Sequence, residues 1–233
     1  MKQVNWRKYG FEFLSIFIAV IAAFALNNWN DNQRNATIEN KILVEIANGL
    51  EKDIEDINVN VKGHEDGIEA CKYWRQVITG QEVNTDSVMI HYLGLTRDFI
   101  SIQNVSGYEA LKSKGLELLK NDALRFEVIS LYEYDYQTLK KFEEEYQEMQ
   151  FQDNYFMAIN NILAPNFTFD EKGNIIGMRT PFDLSDSEQK IVLSYLWKIQ
   201  VNRRFIMYFY AETAKKVNSL KEHVEEELVR AGN

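Results

Sequence analysis

The stretch WRKYGFEFLSIFIAVIAAFALNNWN, residues 6–30, decides how this chain is read. It opens on a basic aromatic flank, runs apolar from Phe13 to Leu26 with Ser15 as the one polar interruption, and stops at Asn27-Asn28-Trp29-Asn30. Counted strictly, the apolar run falls short of the about 20 residues that a membrane span needs. The flanks make up the difference, because a helix from Gly10 to Trp29 is about 30 Å long at about 1.5 Å per residue. Trp6 and Tyr9 then meet one membrane interface and Trp29 the other, where amphipathic rings collect. Glu12 stays near the headgroups, since a charge at the bilayer centre costs several kcal/mol. The expected anchor residues are therefore Trp6, Tyr9, Glu12 and Trp29, and its first partner is membrane lipid.

A cleaved signal peptide is the rival reading. Lys2, Arg7 and Lys8 form a basic start, and Ala23-Phe24-Ala25 has the small-x-small pattern of a cleavage site. Trp29 has no evident use just past such a site, which favours an uncleaved anchor. Three cations and no acid precede the apolar run, so the positive-inside rule places residues 1–9 in the cytoplasm and residues 30–233 beyond the membrane. In a Gram-negative cell that is the inner membrane, with the body in the periplasm.

The formal charge is −9; Lys2, Arg7 and Lys8 carry +3, which leaves −12 on the remainder. An acidic body repels phosphate backbones, so nucleic-acid binding is set aside. The one cysteine, Cys71, has no internal disulfide partner, and packing must hold the fold. Cys71 itself reads as a small buried apolar residue. The two prolines, Pro165 and Pro181, lie close together, which leaves long stretches free to be helical.

Downstream of the anchor, Ile38, Ile42, Ile46, Leu50, Ile54, Ile57, Val61, Ile68, Cys71 and Ile78 recur at mostly three- and four-residue steps. This predicts a continuation of the same helix to about Gly80, with Gly63 and Gly67 marking a kink or break. Shorter pieces follow: one capped by Thr85 or Asp86 and running to about Arg97, and one capped by Ser106 with Glu109 as its partner and stopped by Gly115. A second long helix is expected from Asn121 or Asp122 to Leu163, ended by Pro165. Asp135 is the single polar residue of its stripe, and Glu143-Glu144-Glu145 reads as a solvated face. Residues 167–178 read as a small β-hairpin. Ser185 and Glu188 form a capping box that opens a third long helix, reaching to about Arg230, with a stripe from Ile191 and Tyr195 to Leu228. The fold class expected is all-α: an N-terminal transmembrane helix (10–29) continuing into an elongated antiparallel bundle (30–233). In it the second helix returns toward the membrane or lies across.

Motifs for chemistry are missing. His64, His91 and His223 have no cysteine or histidine at metal-ligand spacing, and no nucleophile elbow, phosphate loop or dinucleotide fingerprint occurs. No catalytic residue, metal or cofactor is assigned. Arg203 and Arg204, near Lys198 and Trp197, form the one basic patch beyond the start; it suits either an anion or salt bridges to the acidic second helix. Tyr134 and Tyr136 alternate, so one faces out. Tyr134, Tyr136, Arg203 and Arg204 make up the candidate interaction surface.

Trp6-Arg7-Lys8-Tyr9, Ile21, Leu26-Asn27-Asn28-Trp29-Asn30 and the later Tyr108-Glu109-Ala110-Leu111-Lys112-Ser113-Lys114-Gly115 resemble the pattern of an uncharacterised bacterial family of single-pass membrane proteins. The likeness covers roughly the first 60 residues well and the middle loosely. It implies topology and adds no activity. The expectation for function is a non-enzymatic, membrane-anchored helical module that binds a protein partner or itself. The alternative is an oligomeric channel or membrane-disrupting effector assembled through Ala19, Ala22, Ala23 and Ala25, with Ser15 and Glu12 facing a shared axis.

Overall fold

In a computed structural model of the chain, residues 6–232 are described; residues 1–5 and 233, and the side chains of residues 6–9 and 232, lie outside the description. The side chains of Trp6 and Tyr9 therefore fall outside it. Helix α1 (Trp6–Ile78) is one unbroken rod of 73 residues. An 18-residue window near its start has a mean hydropathy of 2.0 and none of it is buried, so one helix is long and apolar enough to cross a membrane. Trp29 is exposed. Ser15 Oγ donates to the Glu12 carbonyl at 2.9 Å, satisfying the hydroxyl within its own helix. Ile38 is the first apolar side chain packed on the bundle core, leaving a stalk of roughly 13 Å beyond Trp29 at about 1.5 Å per residue. Gly80, at φ +72°, lets the chain leave the helix.

The chain then comes back along α1. Helix α2 (Val88–Thr96) follows a short turn in which the Asn84 side chain, rather than Thr85 or Asp86, accepts from a backbone N–H, that of Asp86. The extended segment 97–105 leads to α3 (Ser106–Lys114). Ser106 does not cap α3; its hydroxyl donates to Asn104 Oδ1, and Glu109 pairs with Lys112 instead. Gly115, at φ +98°, ends the helix. The direction is set by a ladder of bonds to α1: Trp74 Nε1 to the His91 carbonyl at 3.0 Å, Ile102 N–H to Asp56 at 2.9 Å, Asn104 N–H to Asp53 at 2.6 Å and Lys120 N–H to Glu39 at 2.9 Å.

The second long stripe then runs outward again, parallel to α1, rather than returning or lying across. It is also broken. Asn121 caps α4 (Asp122–Ser130) by accepting from Leu124 N–H. Wide π-type turns at Leu131–Asp135 and Lys141–Glu145 flank α5 (Tyr136–Lys140). Tyr146 and Gln150 are extended, and helix resumes only through a third π turn (Gln152–Phe156) into α6 (Met157–Leu163). Each π turn inserts a residue and rotates the inward face, so Glu143 is buried and not solvated. Strands β1 (Phe167–Phe169) and β2 (Ile175–Met178) pair antiparallel, with Phe167 opposite Met178. The hairpin seats Phe167 against Trp74 and Tyr92, which provides the packing that an isolated hairpin lacks.

Helix α7 (Asp186–Gly232) closes the bundle. Its capping box is formed: Glu188 N–H donates to Ser185 Oγ at 3.3 Å and Ser185 N–H to Glu188 Oε2 at 2.8 Å. It runs inward, from Gln189 on the Ile78 carbonyl, through Gln200 on Arg75, to Lys221 on Glu51. At its start Val192 and Leu196 face the core in place of the expected Ile191 and Tyr195, and Ile191 is exposed; from Ile199 through Ile206, Thr213, Val217 and Leu220 to Val224 the inward stripe is the expected one.

Gly63 and Gly67 break nothing. Each is a place where another side chain lies against the α1 backbone: a Cβ on Gly63 would meet the Phe99 ring at 2.2 Å, and one on Gly67 the Arg203 guanidinium at 2.3 Å. At Gly107 the contact is backbone, since a Cβ would sit 2.7 Å from the Ile46 nitrogen. Gly107→Ala is expected to lower unfolding free energy by about 1–3 kcal/mol, the usual cost of overpacking. A denaturant midpoint equal to that of the wild type would show that α3 is not seated on α1 in this way.

Candidate functional site

The bundle has two apolar cores. The one nearer the exposed apolar end of α1 is built on Ile42 to Ile57 of α1 and Ile206 to Val224 of α7. The far one is built on Ala70 to Ile78, Phe151 to Leu163 and Val192 to Ile199. Between them lies a buried polar layer that includes Asp53, Asn60 and His64 from α1, Glu143 from the second π turn, and Asn202 and Arg203 from α7. Polar groups out of water need partners. Asn60 finds its partner on Asp56, Asn202 on the Glu148 carbonyl and Arg203 mainly at the end of α2, while Asp53 and Glu143 draw on the segment 97–105, whose backbone belongs to no helix.

Carboxylates hold that segment. Asp53 accepts from Asn104 N–H and, at 2.5 Å, from the Tyr136 hydroxyl. Asp56 accepts from Ile102 N–H. Glu143 accepts from Ser101 N–H at 3.2 Å and from the Tyr210 hydroxyl. Arg203 serves the carbonyl side: its Nη2 donates to the carbonyls of Gly94, Leu95 and Arg97 at 3.1–3.2 Å. A cation on the last carbonyls of α2 completes the helix end where its dipole is negative. Gly67 gives the guanidinium room, and the Phe99 ring lies 5.9 Å from its carbon.

Burial shapes the charges. It pushes the Glu143 carboxyl up to about 7, against the hydrogen bonds from Tyr210 and Ser101. It raises Asp53 and Asp98 as well. It pushes His64 down to about 3, helped by the nearby Arg203 charge, so His64 is a neutral imidazole at physiological pH. Because folded Glu143 holds its proton more tightly than the ordinary 4.5, its contribution to stability is greatest below that pH and declines as pH rises toward about 7. Wild type should therefore lose on the order of 3 kcal/mol relative to Glu143→Gln between those limits. Thermal unfolding of both forms across the range measures it, and parallel curves would contradict it.

A cavity of about 60 Å³ opens beside this layer, lined on its polar side by His64, Asp98, Glu143, Asn202 and Arg203. Three buried nitrogens here, His64 Nδ1 and Nε2 and Arg203 Nε, make no well-formed hydrogen bond among the described residues; the Phe99 backbone lies near the His64 ring and favours its proton only weakly against burial.

No protein family, curated protein or solved structure matches this chain. Its site is therefore read from geometry. Of the four residues expected to form an interaction surface, two are corrected. Tyr136 is buried against Asp53, and Arg203 is buried on the α2 carbonyls. Their side chains are spent on the core, and neither Arg203 nor Tyr136 presents a surface. Tyr134 and Arg204 are exposed. Arg204 shares one face of α7 with exposed Trp197 and Tyr208, at steps of seven and four residues. The salt bridge to the second helix is made by Lys198, to Glu148. His223 pairs with Glu127 of α4 rather than with the acids of its own helix.

His64, Asp53 and Glu143 belong to the site, although the sequence alone assigns none of them a site role. His64 had a usable signal: it fills the seven-residue gap between Val61 and Ile68 in the α1 stripe, dividing it into helical steps of three and four. Glu143 had none, because its inward turn depends on a π turn.

Proposed function

We propose that this chain is a non-enzymatic, single-pass membrane protein whose acidic helical bundle stands outside the cytoplasm and binds a protein partner or envelope component. The observation that carries the reading is the wholly exposed apolar window of α1, mean hydropathy 2.0. A solvent-exposed run of this kind is stable in lipid and a liability in water. The basic start orients the span by the positive-inside rule. Because α1 continues without interruption into the core, a load or tilt on the bundle is transmitted to the span. The α7 face with Trp197, Arg204 and Tyr208 has the residue types enriched at interfaces, and we place the partner there. The likeness to the single-pass family at Asn27-Asn28-Trp29-Asn30 supports the same topology.

Fusions at the C-terminus test the reading. Active alkaline phosphatase and dark green fluorescent protein are the expected pair. A fluorescent fusion with inactive phosphatase would place the bundle in the cytoplasm and end the proposal.

A further inference from the structure

We propose that the mid-bundle cavity binds a small carboxylate, held by the Arg203 guanidinium and the His64 ring, with a short aliphatic body against Phe99, Phe142 and Ile206. This goes beyond the tethered-module reading and does not depend on it. Arg203 and His64 are 6% and 7% exposed, come from two different helices, line one cavity, and have three ring and guanidinium nitrogens without a well-formed hydrogen bond among the described residues. A buried Arg needs a counter-charge or a full set of acceptors. Here Nη2 is served by three carbonyls, while Nε is not; Asp98 acts on Arg203 electrostatically but makes no ion-pair contact with it among the described residues. A carboxylate is the acceptor whose geometry suits a guanidinium edge. A neutral imidazole offers one N–H beside it.

Size narrows the class. The cavity, about 60 Å³, is several times the roughly 10–15 Å³ that one water needs. It is far below the roughly 300 Å³ at which drug-sized pockets begin. That suits acids of two to four carbons. Two acids also line the space. Glu143 is engaged by Ser101 and Tyr210, and Asp98 lies at the mouth, exposed as a residue while its carboxyl is partly desolvated by its surroundings. An ammonium group next to the ligand's carboxylate would face Asp98, so an amino acid and a plain organic acid are two sources of the same chemistry.

The test uses the full chain in mild detergent, titrated calorimetrically with propionate, alanine and the uncharged isostere propionamide. Saturable one-to-one binding of propionate, alanine or both is expected, with propionamide weaker by about tenfold or more. Binding of alanine alone would identify an amino-acid site facing Asp98. His64→Phe should keep the helical signal and thermal midpoint, because it removes an unsatisfied buried group, and should weaken the bound acid by about tenfold or more. Arg203→Met should abolish binding, read only if its thermal midpoint shows a folded chain. The proposal is overturned if neither acid binds saturably, if propionamide binds equally well, or if folded His64→Phe binds like wild type. None of these results bears on which side of the membrane the bundle lies, so the two proposals fail separately.

Discussion

Trp74→Ala should cost about 3–5 kcal/mol of unfolding free energy, the range for deleting a large buried aromatic. Trp74 is 0% exposed in the far core. Its ring meets Tyr73 edge-on at 5.3 Å and Phe167 at 6.2 Å, and its Nε1 donates to the His91 carbonyl. Truncation therefore removes three things together: the packing of α1 in the far core, the seat of the β1–β2 hairpin, and a hydrogen bond that fixes α2. The lost donor leaves a carbonyl in an apolar setting, which adds to the cavity cost. Trp197→Ala is the matched comparison, since Trp197 is 60% exposed and such changes usually stay within about 0.5 kcal/mol. Urea unfolding followed by circular dichroism separates the two. A Trp74→Ala midpoint as close to wild type as that of Trp197→Ala would contradict the packing of α2 and the hairpin described above.

Val20→Arg should release the chain from the membrane while leaving the bundle folded. An arginine near the middle of a span costs roughly 2.5–3.5 kcal/mol on insertion scales. The window it enters is barely longer than the strict apolar run, so little surplus hydropathy absorbs the loss. The apolar window is wholly exposed, so unfolding of the bundle should be unchanged. Alkaline washing of membranes gives the readout: several-fold less chain in the pellet than wild type, with equal thermal unfolding of what is recovered. Val59→Arg, at a site 67% exposed on the solvent side of α1 within the bundle, should stay with the membrane. Equal retention of Val20→Arg and wild type would mean that residues 10–29 do not hold the chain in lipid.

Periodicity carried much of this fold. The α1 stripe, the Gly80 and Gly115 stops, the Asn121 cap and the Ser185–Glu188 box were all legible because each depends on residues a few positions apart. What was not legible depends on contacts between distant segments. The direction of the second stripe follows from the bonds of residues 91–120 to α1, which take up the inward path before that stripe begins. The three π turns have no signature as short as a cap, and they decide that Glu143 enters the core while Glu144 and Glu145 stay exposed. Gly63 and Gly67 looked like breaks because glycine weakens a helix locally; the helix passes through them because Phe99 and Arg203 occupy the space a side chain would take. Arg203 illustrates the same limit on the functional side. Next to Arg204 it reads as half of a surface patch, and a turn of one position along α7 buries it on the α2 carbonyls.

These contacts also bear on the alternative of a pore built from several spans. Ser15 was one of two polar groups available to face a shared axis, and its hydroxyl is satisfied within α1. The mass of the intact chain in mild detergent, by light scattering with the detergent contribution subtracted, decides between a tethered module and an assembly most directly. A tethered binding module predicts a monomer or dimer. A defined ring-sized oligomer would contradict it and make Glu12, at the mouth of such a ring, the first residue to replace.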